Sequence, residues 1–510
     1  MPRNLAAIAA ASAILVGSWL RARYVLRADF PLLDGGMFYT VVQDILANHF
    51  RPPLTLSYNG AGLPFAYPPL AFYLAAAFVR LGLNPFDALR ALPLLATCLC
   101  LPAMWLLARS ILGDPMRAAI ATWAFAIIPQ DFVWLIMGGG LTRAPGLLCS
   151  LLALHQAHRL ATTRRRRFIA GTGILTGLTL LLHLETASFL TISLAAFWLL
   201  FNRKSSGLLS FLQAAGIAGL VSSPWWGTVI ARYGATPLLA AIQSGGAGLN
   251  THDMLVATAW RLLFALFHTG EPGIPIVSLL ALVGLVITCL RKQWTLAIWL
   301  LTVVVLEPRA WQSFASPAIA LLAAIGISDV LRPVLIPRLP QMVLGMLVLL
   351  IGAYGAAATM FVPSEKSELS LLVQLRAPET SAMQAVDQLT DADARFLVVS
   401  GTTWQADLFS EWLPALGERQ TVNTVQGYEW VPDVFSARVA NYNRLQACAS
   451  RESTCLARWS EDSGVGFTDV YLPKWQIGDS VEPLRQSLRN DAAYRTIYDS
   501  AGATIFERIS

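Results

Sequence analysis

From Leu5 to Phe361 the sequence is a succession of apolar runs, each poor in charge and most near bilayer length, separated by short polar breaks. Such a chain cannot fold around a single core facing water. Each run has to satisfy its own N–H and C=O groups as a helix, because lipid offers them no partner. Composition agrees: 55% of residues are hydrophobic and 13% charged, against about 25% charged in an ordinary soluble protein, and the mean hydropathy is +0.55. The reading is a polytopic α-helical membrane protein. The formal net charge of +6 is no nucleic-acid footprint, since much of the basic excess sits in short loops between runs, where it sets orientation.

Arg164, Arg165, Arg166 and Arg167 stand in a row and mark a cytoplasmic loop. Asn202-Arg203-Lys204 and Arg291-Lys292 mark two more. Leu5–Leu20 reads as a retained first helix rather than a cleaved signal, because no clean cleavage site follows it. The remaining runs are then Tyr67–Leu83, Ala91–Leu112, Arg117–Met137, Leu147–Leu160, Phe168–Leu182, Ala187–Phe201, Leu208–Ile230, Ile274–Leu290, Trp294–Leu306, Phe314–Ile327 and Met342–Phe361. Met254–Phe267 is expected to lie on the membrane or dip into it. If every early run crossed, the four arginines would fall outside. The simplest repair is that Tyr67–Leu83, with two prolines at its start, enters the membrane without crossing.

The division expected is a transmembrane bundle over residues 1–361 and one ordinary-sized domain over 362–510, outside by the crossing count. In the latter, Ala394–Gly401 reads as a buried strand, Thr403–Leu416 as the amphipathic helix after it, and Phe467–Leu472 and Ala503–Ile509 as further strands, an α/β layer domain. Its only cysteines are Cys448 and Cys455, which fit a disulfide in an oxidising compartment or two unpaired thiols.

The outer loop, residues 21–66, is the longest polar interruption of the first half. Phe38, Val41, Val42, Ile45 and Leu46 share one face of a helix over Gly35–His49, too short and polar to cross, which predicts a helix flat on the membrane surface. Asp34 stands just before it. It reads as an N-cap, or as a general base at the membrane–water boundary, and the two are compatible because a cap fixes the side chain. Ionisable groups beside apolar spans are costly and are usually paired or functional. Asp34, Asp44, Asp131, Arg143, His183, Glu185, His252, Asp253, His268, Glu271, Glu307 and Arg309 all fall near the outer face. Their blander readings are a cap or tight hairpin for His183 and Glu185, an ion pair for Glu307 and Arg309, and a helix end for Asp131. No phosphate-cradling loop, dinucleotide glycine pattern, zinc spacing or nucleophile elbow is present. GGGLTRAPG (Gly138–Gly146) reads as a loop that allows close backbone approach.

LLDGGMFY, PFAYPPLAFYL, HLETASFL, SSPWW and EPRAWQSFASPAIALLAAIG, in that order, resemble the GT-C superfamily of integral membrane glycosyltransferases, such as protein O-mannosyltransferases and aminoarabinose transferases. The resemblance implies inverting transfer of a sugar, hexosyl or pentosyl, from a polyprenyl-phosphate donor to an acceptor hydroxyl on a glycan, lipid or protein. Asp34 matches the first-loop acid and would take the acceptor's proton. Arg309 matches an arginine near the donor phosphate, and Arg143, also a candidate for that phosphate, stands where relatives often carry a second acid. That departure removes a carboxylate from a family-style metal site. Glu185 and His183, with Asp131 and Glu307, are then the candidates for a divalent ion (Mg or Mn) or for the acceptor, and Tyr39, Tyr67 and His252 for the cavity wall. Arg21, Arg23 and Arg27 would attract the lipid phosphate at the outer boundary. The location implied is the plasma (inner) membrane, with the C-terminal domain extracytoplasmic. Two other classes compete. A transporter or flippase of a lipid-linked substrate would spread polar residues through the depth of the spans. A non-enzymatic assembly or receptor protein would need no carboxylate at the loop–helix junction.

Overall fold

The computed structural model describes residues 3–244, 258–261, 266, 269–272, 274–307, 310–331, 350, 352–354, 357, 368–475 and 478–509. The chain is a multi-pass membrane protein. Five described helices are long and apolar enough to cross a bilayer, and Pro115–Ile127 with Pro129–Leu135, bent by 86° at the break, pass the same test as a pair. In chain order the first elements are α1 (Arg3–Arg27), α2 (Gly36–Ala47), α3 (Leu70–Arg80), α4 (Pro85–Leu112), α5 (Pro115–Ile127) and α6 (Gly140–Thr163). There follow α7 (Arg167–Leu182), α8 (Leu184–Phe201), α9 (Ser205–Tyr233) and α10 (Thr236–Ser244). After a gap in the described residues come α11 (Ile276–Leu290), α12 (Thr295–Leu306) and α13 (Trp311–Gly326). Met254–Phe267 and Met342–Phe361 lie mostly outside the described residues.

The run expected to enter the membrane without crossing contains only a short helix. At 11 residues, α3 is about 16 Å long, half the roughly 30 Å of hydrocarbon a span must cover. It lies against α2, with Phe72 edge-on to Phe38 at 4.9 Å. Arg117 at the start of α5 and Arg291 just after α11 both pair with Asp329 beyond α13, so those three helix ends share one side. Asp34 and Arg164–Arg167 sit at opposite ends of α6, whose 24 residues span about 36 Å.

Two expectations about helix ends are corrected. The first helix runs to Arg27, so Arg21 is part of it and fully buried. Its guanidinium donates to the Ala126 carbonyl (3.0 Å), Thr97 Oγ1 (3.3 Å) and Gly17 O (2.9 Å). Ala126 belongs to the last turn of α5, where carbonyls lack helical partners and a cation is favoured. Arg21 therefore caps α5 and is not placed to draw in a lipid. The second correction concerns GGGLTRAPG: α6 already begins at Gly140 and carries Pro145 inside it.

The C-terminal region folds as a layered α/β unit. Its helices are α14 (Ala377–Leu389), α15 (Leu408–Leu416), α16 (Phe435–Gln446), α17 (Thr454–Ser463) and α18 (Glu482–Asn490). Its strands are β1 (Arg395–Val398), β2 (Gln420–Thr421), β3 (Asp469–Pro473), β4 (Tyr494–Asp499) and β5 (Ala503–Arg508), in the order β2-β1-β3-β5-β4. β1 pairs in parallel with β2 and β3, while β5 is antiparallel to β3 and β4. The strands read from sequence are β1, β3 and β5; β2 and β4 were not. Cys448 and Cys455 form a disulfide between the end of α16 and α17.

The outer loop is the joint between this unit and the bundle. Trp412 Nε1 donates to Leu33 O (3.0 Å), Tyr58 Oη to Glu411 O (2.8 Å) and Leu33 N to Val373 O (2.7 Å). Asn59 exchanges both its amide groups with the Thr421 backbone, at 2.9 and 2.7 Å. Helix α2 is thus wedged between α3 and α15, with its apolar face buried. A Cβ at Gly36 would stand 2.5 Å from Glu411 O, so the approach needs glycine. Gly36→Ala should therefore lower the thermal unfolding midpoint of the detergent-solubilised protein by several degrees, a cost of about 1–3 kcal/mol for a clash that backbone must absorb. Gly219→Ala, on α9 with nothing within 4 Å of the added carbon, should be neutral or slightly stabilising. Equal midpoints for the two variants would contradict the close packing.

Candidate active site

Asp34 does not cap α2. Gly35 holds the N-cap position and no side chain bonds there. The carboxylate turns to the start of α6 instead. Oδ1 accepts the Gly139 N–H at 2.7 Å and Oδ2 accepts Arg143 Nη2 at 2.6 Å. A helix N-terminus, with its unpaired N–H groups, favours a negative charge. The glycines explain how the two segments come so close. A Cβ at Gly138 would meet the Asp34 carbonyl at 1.9 Å, and one at Gly139 would meet Asp34 Oδ2 at 2.3 Å. The close approach expected of this stretch is present. Its purpose is to seat one carboxylate.

Arg143 is fixed in turn. Its Nη1 donates to Trp134 O at 3.0 Å, and its guanidinium lies over the Trp134 ring at 5.5 Å. The pair borders a cavity of about 550 Å³ between the bundle and the C-terminal unit. From the bundle come Asp34, Tyr67, Arg143, His183 and Glu185; from the other side come Trp404, Gln405, Glu411, Gln426, Glu429 and Trp430.

The structure thus brings five of the expected residues to one cavity. Tyr67 Oη is 3.5 Å from Thr142 Oγ1. His183 is the N-cap of α8, its Nδ1 2.9 Å from Thr186 Oγ1, so its blander reading holds alongside its place in the wall. Three expected residues are elsewhere. Tyr39 stacks on Phe86, with ring centroids 4.9 Å apart, because it lies on the other face of α2 from the cavity-lining Met37 and Phe38. Asp131 is buried at the bend after α5, where its charge acts on Arg21, and its neighbour Gln130 takes the cavity position. Glu307 is buried, with Arg261 Nη1 3.4 Å from its carbonyl. Arg309 and His252 lie outside the described residues.

Among the described residues, no three His, Cys, Asp or Glu side chains form a cluster that could hold a metal ion. Both oxygens of Asp34 face N–H donors, one of them cationic, and His183 Nδ1 is engaged in its cap.

Glu411 was not foreseen. It sits on α15, 5% exposed, and its Oε1 accepts the Gly35 N–H at 2.9 Å. Burial first, then the nearby Asp34 carboxylate, pushes it up to about 8. One signal was available: on the helix read from sequence, Glu411 falls three residues after Leu408 and four before Ala415, on the apolar stripe itself.

With this geometry in view, known proteins give a consistent picture. Residues 66–227 match the family described as dolichyl-phosphate-mannose-protein mannosyltransferase. A comparison with curated proteins returned no match. Among solved structures, AglB, the archaeal oligosaccharyltransferase from Archaeoglobus fulgidus in complex with an inhibitory peptide and a dolichol-phosphate, is 15% identical, with a TM-score of 0.52 over 99% of this chain and 74% of that one. ArnT from Cupriavidus metallidurans bound to undecaprenyl phosphate is 13% identical, with a TM-score of 0.58 over 99% of this chain and 98% of that one. The arabinofuranosyltransferase AftD from Mycobacteria is 13% identical, with a TM-score of 0.56 over 100% of this chain and 40% of that one. The chain shares its fold with ArnT and AftD.

The protonated Glu411 has a thermodynamic signature. Because its folded value, about 8, lies above the ordinary 4.5, the stability it contributes is present below about pH 4.5 and is lost as pH rises through about 8. Glu411→Gln should flatten the fall in unfolding midpoint between about pH 5 and pH 8, the window set by that shift. Parallel curves for variant and native protein would refute the assignment.

Proposed function

We propose that this protein is a glycosyltransferase that moves a sugar from a polyprenyl-phosphate carrier to an acceptor hydroxyl, with inversion at the anomeric carbon. The observation that carries the reading is the Asp34–Arg143 pair, 2.6 Å apart, in the wall of a cavity that opens at the junction of apolar bundle and polar domain. The fold supports it, as do the carriers held by two neighbours: dolichol-phosphate in AglB and undecaprenyl phosphate in ArnT.

The roles follow from the chemistry. The acceptor oxygen bonds to the anomeric carbon as the carbon–oxygen bond to phosphate breaks. Asp34 takes the acceptor's proton. The lipid phosphate departs with the bonding electron pair and needs no proton, but its developing charge needs a cation. Arg143 is that cation. A guanidinium carries five N–H donors in a planar fork, so contacts to Asp34 and Trp134 leave others for a phosphate oxygen. Holding base and cation in one hydrogen-bonded unit fixes their separation before substrate arrives. We place the cavity and the C-terminal domain on the extracytoplasmic face of the plasma (inner) membrane. Support comes from Arg164–Arg167 at the far end of α6 and from the disulfide Cys448–Cys455.

In reconstituted protein supplied with a polyprenyl-phosphate sugar, Asp34→Asn should lower turnover by about 100-fold or more while undecaprenyl phosphate still binds. Turnover equal to the native protein's removes Asp34 from the base role. Cysteines introduced at Ser205 and Ser500, in a background without reactive thiols, should label from opposite sides, only the latter from outside. The reverse pattern inverts the orientation.

A further inference from the structure

Four carboxyl side chains line the cavity: Asp34, Glu185, Glu411 and Glu429. Among the described lining residues one cation, Arg143, stands against them. A phosphate carries negative charge of its own, so a site for it depends on how many of those carboxyls are ionised. Glu411 differs from the others in where it comes from and how it is held. It is brought by the C-terminal domain, is almost fully buried, and accepts a backbone N–H from the residue next to Asp34. Its Oε2 lies 3.5 Å from Gln426 Nε2, within the domain's own wall of the cavity. Its backbone carbonyl takes the Tyr58 hydroxyl at 2.8 Å, and the adjacent Trp412 indole is bonded to Leu33 O at 3.0 Å. These contacts fix α15 against the loop that carries the base.

We infer that Glu411 sets the charge of the cavity for its anionic ligand: as a neutral carboxyl it pins the Asp34 loop and leaves Arg143 free to attract a phosphate, and as a carboxylate it opposes that phosphate. The inference rests on the donor reading given above. It makes Glu411 a positioning residue, acting through Asp34 and Arg143, and it makes the soluble domain part of the donor site rather than an appendage to it. The charged and titratable groups that act on Glu411 and its surroundings are Asp34 from the loop, Arg143 from α6, Tyr58 beneath the helix, and Asp407 and Glu429 from its own domain. The Gly35 and Met37 backbone N–H groups and then Arg143 favour the ionised form, and burial together with Asp34 outweighs them. With Glu411 titrating at about 8, the neutral fraction is close to complete at pH 7 and about one tenth at pH 9.

Full-length protein in lipid nanodiscs, titrated with undecaprenyl phosphate at pH 7 and pH 9, tests this. Native protein should lose affinity about tenfold between the two, following that neutral fraction. Glu411→Gln, neutral at both and still able to accept the Gly35 N–H, should bind at pH 9 as native protein does at pH 7. Glu411→Met, neutral but unable to accept that N–H, should also lack the pH dependence, which separates charge from hydrogen bonding and stands in if the first variant is unstable. Weakening of the neutral variants in parallel with native protein overturns the inference while leaving the donor reading intact. Absence of binding by every protein at both pH values overturns both.

Discussion

The structure turns on one contact, the seating of the Asp34 carboxylate on the N-terminus of α6. A carboxylate at the edge of an apolar bundle is costly unless its oxygens are met. Here Gly139 supplies an N–H and Arg143 a guanidinium. The geometry leaves no room for side chains between, so Gly138 and Gly139 are dictated by Asp34 as much as Arg143 is. The same seating orders the helices. It ties the loop after α1 to the start of α6, and thereby sets which ends of the early helices share a side with the cavity.

A second constraint acts from above. The loop that carries Asp34 is clamped on its outer side by α15, through Glu411, Trp412 and the absent side chain of Gly36. The Asp34 carboxylate therefore has two frames of reference, one in the bundle and one in the C-terminal domain. A displacement of either moves the carboxylate relative to the cavity. On the proposed reading a lipid carrier would arrive from the bilayer and a hydroxyl from water, and a carboxylate held from both sides would be registered to both.

Much of this was legible from sequence for physical reasons that can be named. Hydropathy fixed the helices because lipid permits few alternatives to a helix. The arginine run gave an expected set of sides, and parity gave a reason to expect the run at Tyr67–Leu83 to stop short, where the structure has the 11-residue α3. Asp34, Arg143, His183, Glu185 and Tyr67 were found because polar groups are scarce enough in such a chain to stand out. What was not legible depends on tertiary contact. Asp34 before a helix reads as that helix's cap, and nothing local reveals that it serves another helix entered more than 100 residues later. Arg21 reads as a boundary charge, and only the bend after α5 shows the carbonyl it serves. Glu411 lies in the soluble domain, where a carboxylate is unremarked. Its significance comes from a surface that presses against the bundle.

On the proposed reading, Asp34 accepts a proton while its carboxylate already holds two donors. The count of lone pairs allows this. An ionised carboxylate offers about four acceptor sites, and the Gly139 N–H and the Arg143 guanidinium use two. The remainder stay available to an incoming hydroxyl. Arg143 is moreover a shared resource. On the proposed reading one guanidinium would hold both the Asp34 carboxylate and the donor phosphate, so that the two reacting groups share a single anchor.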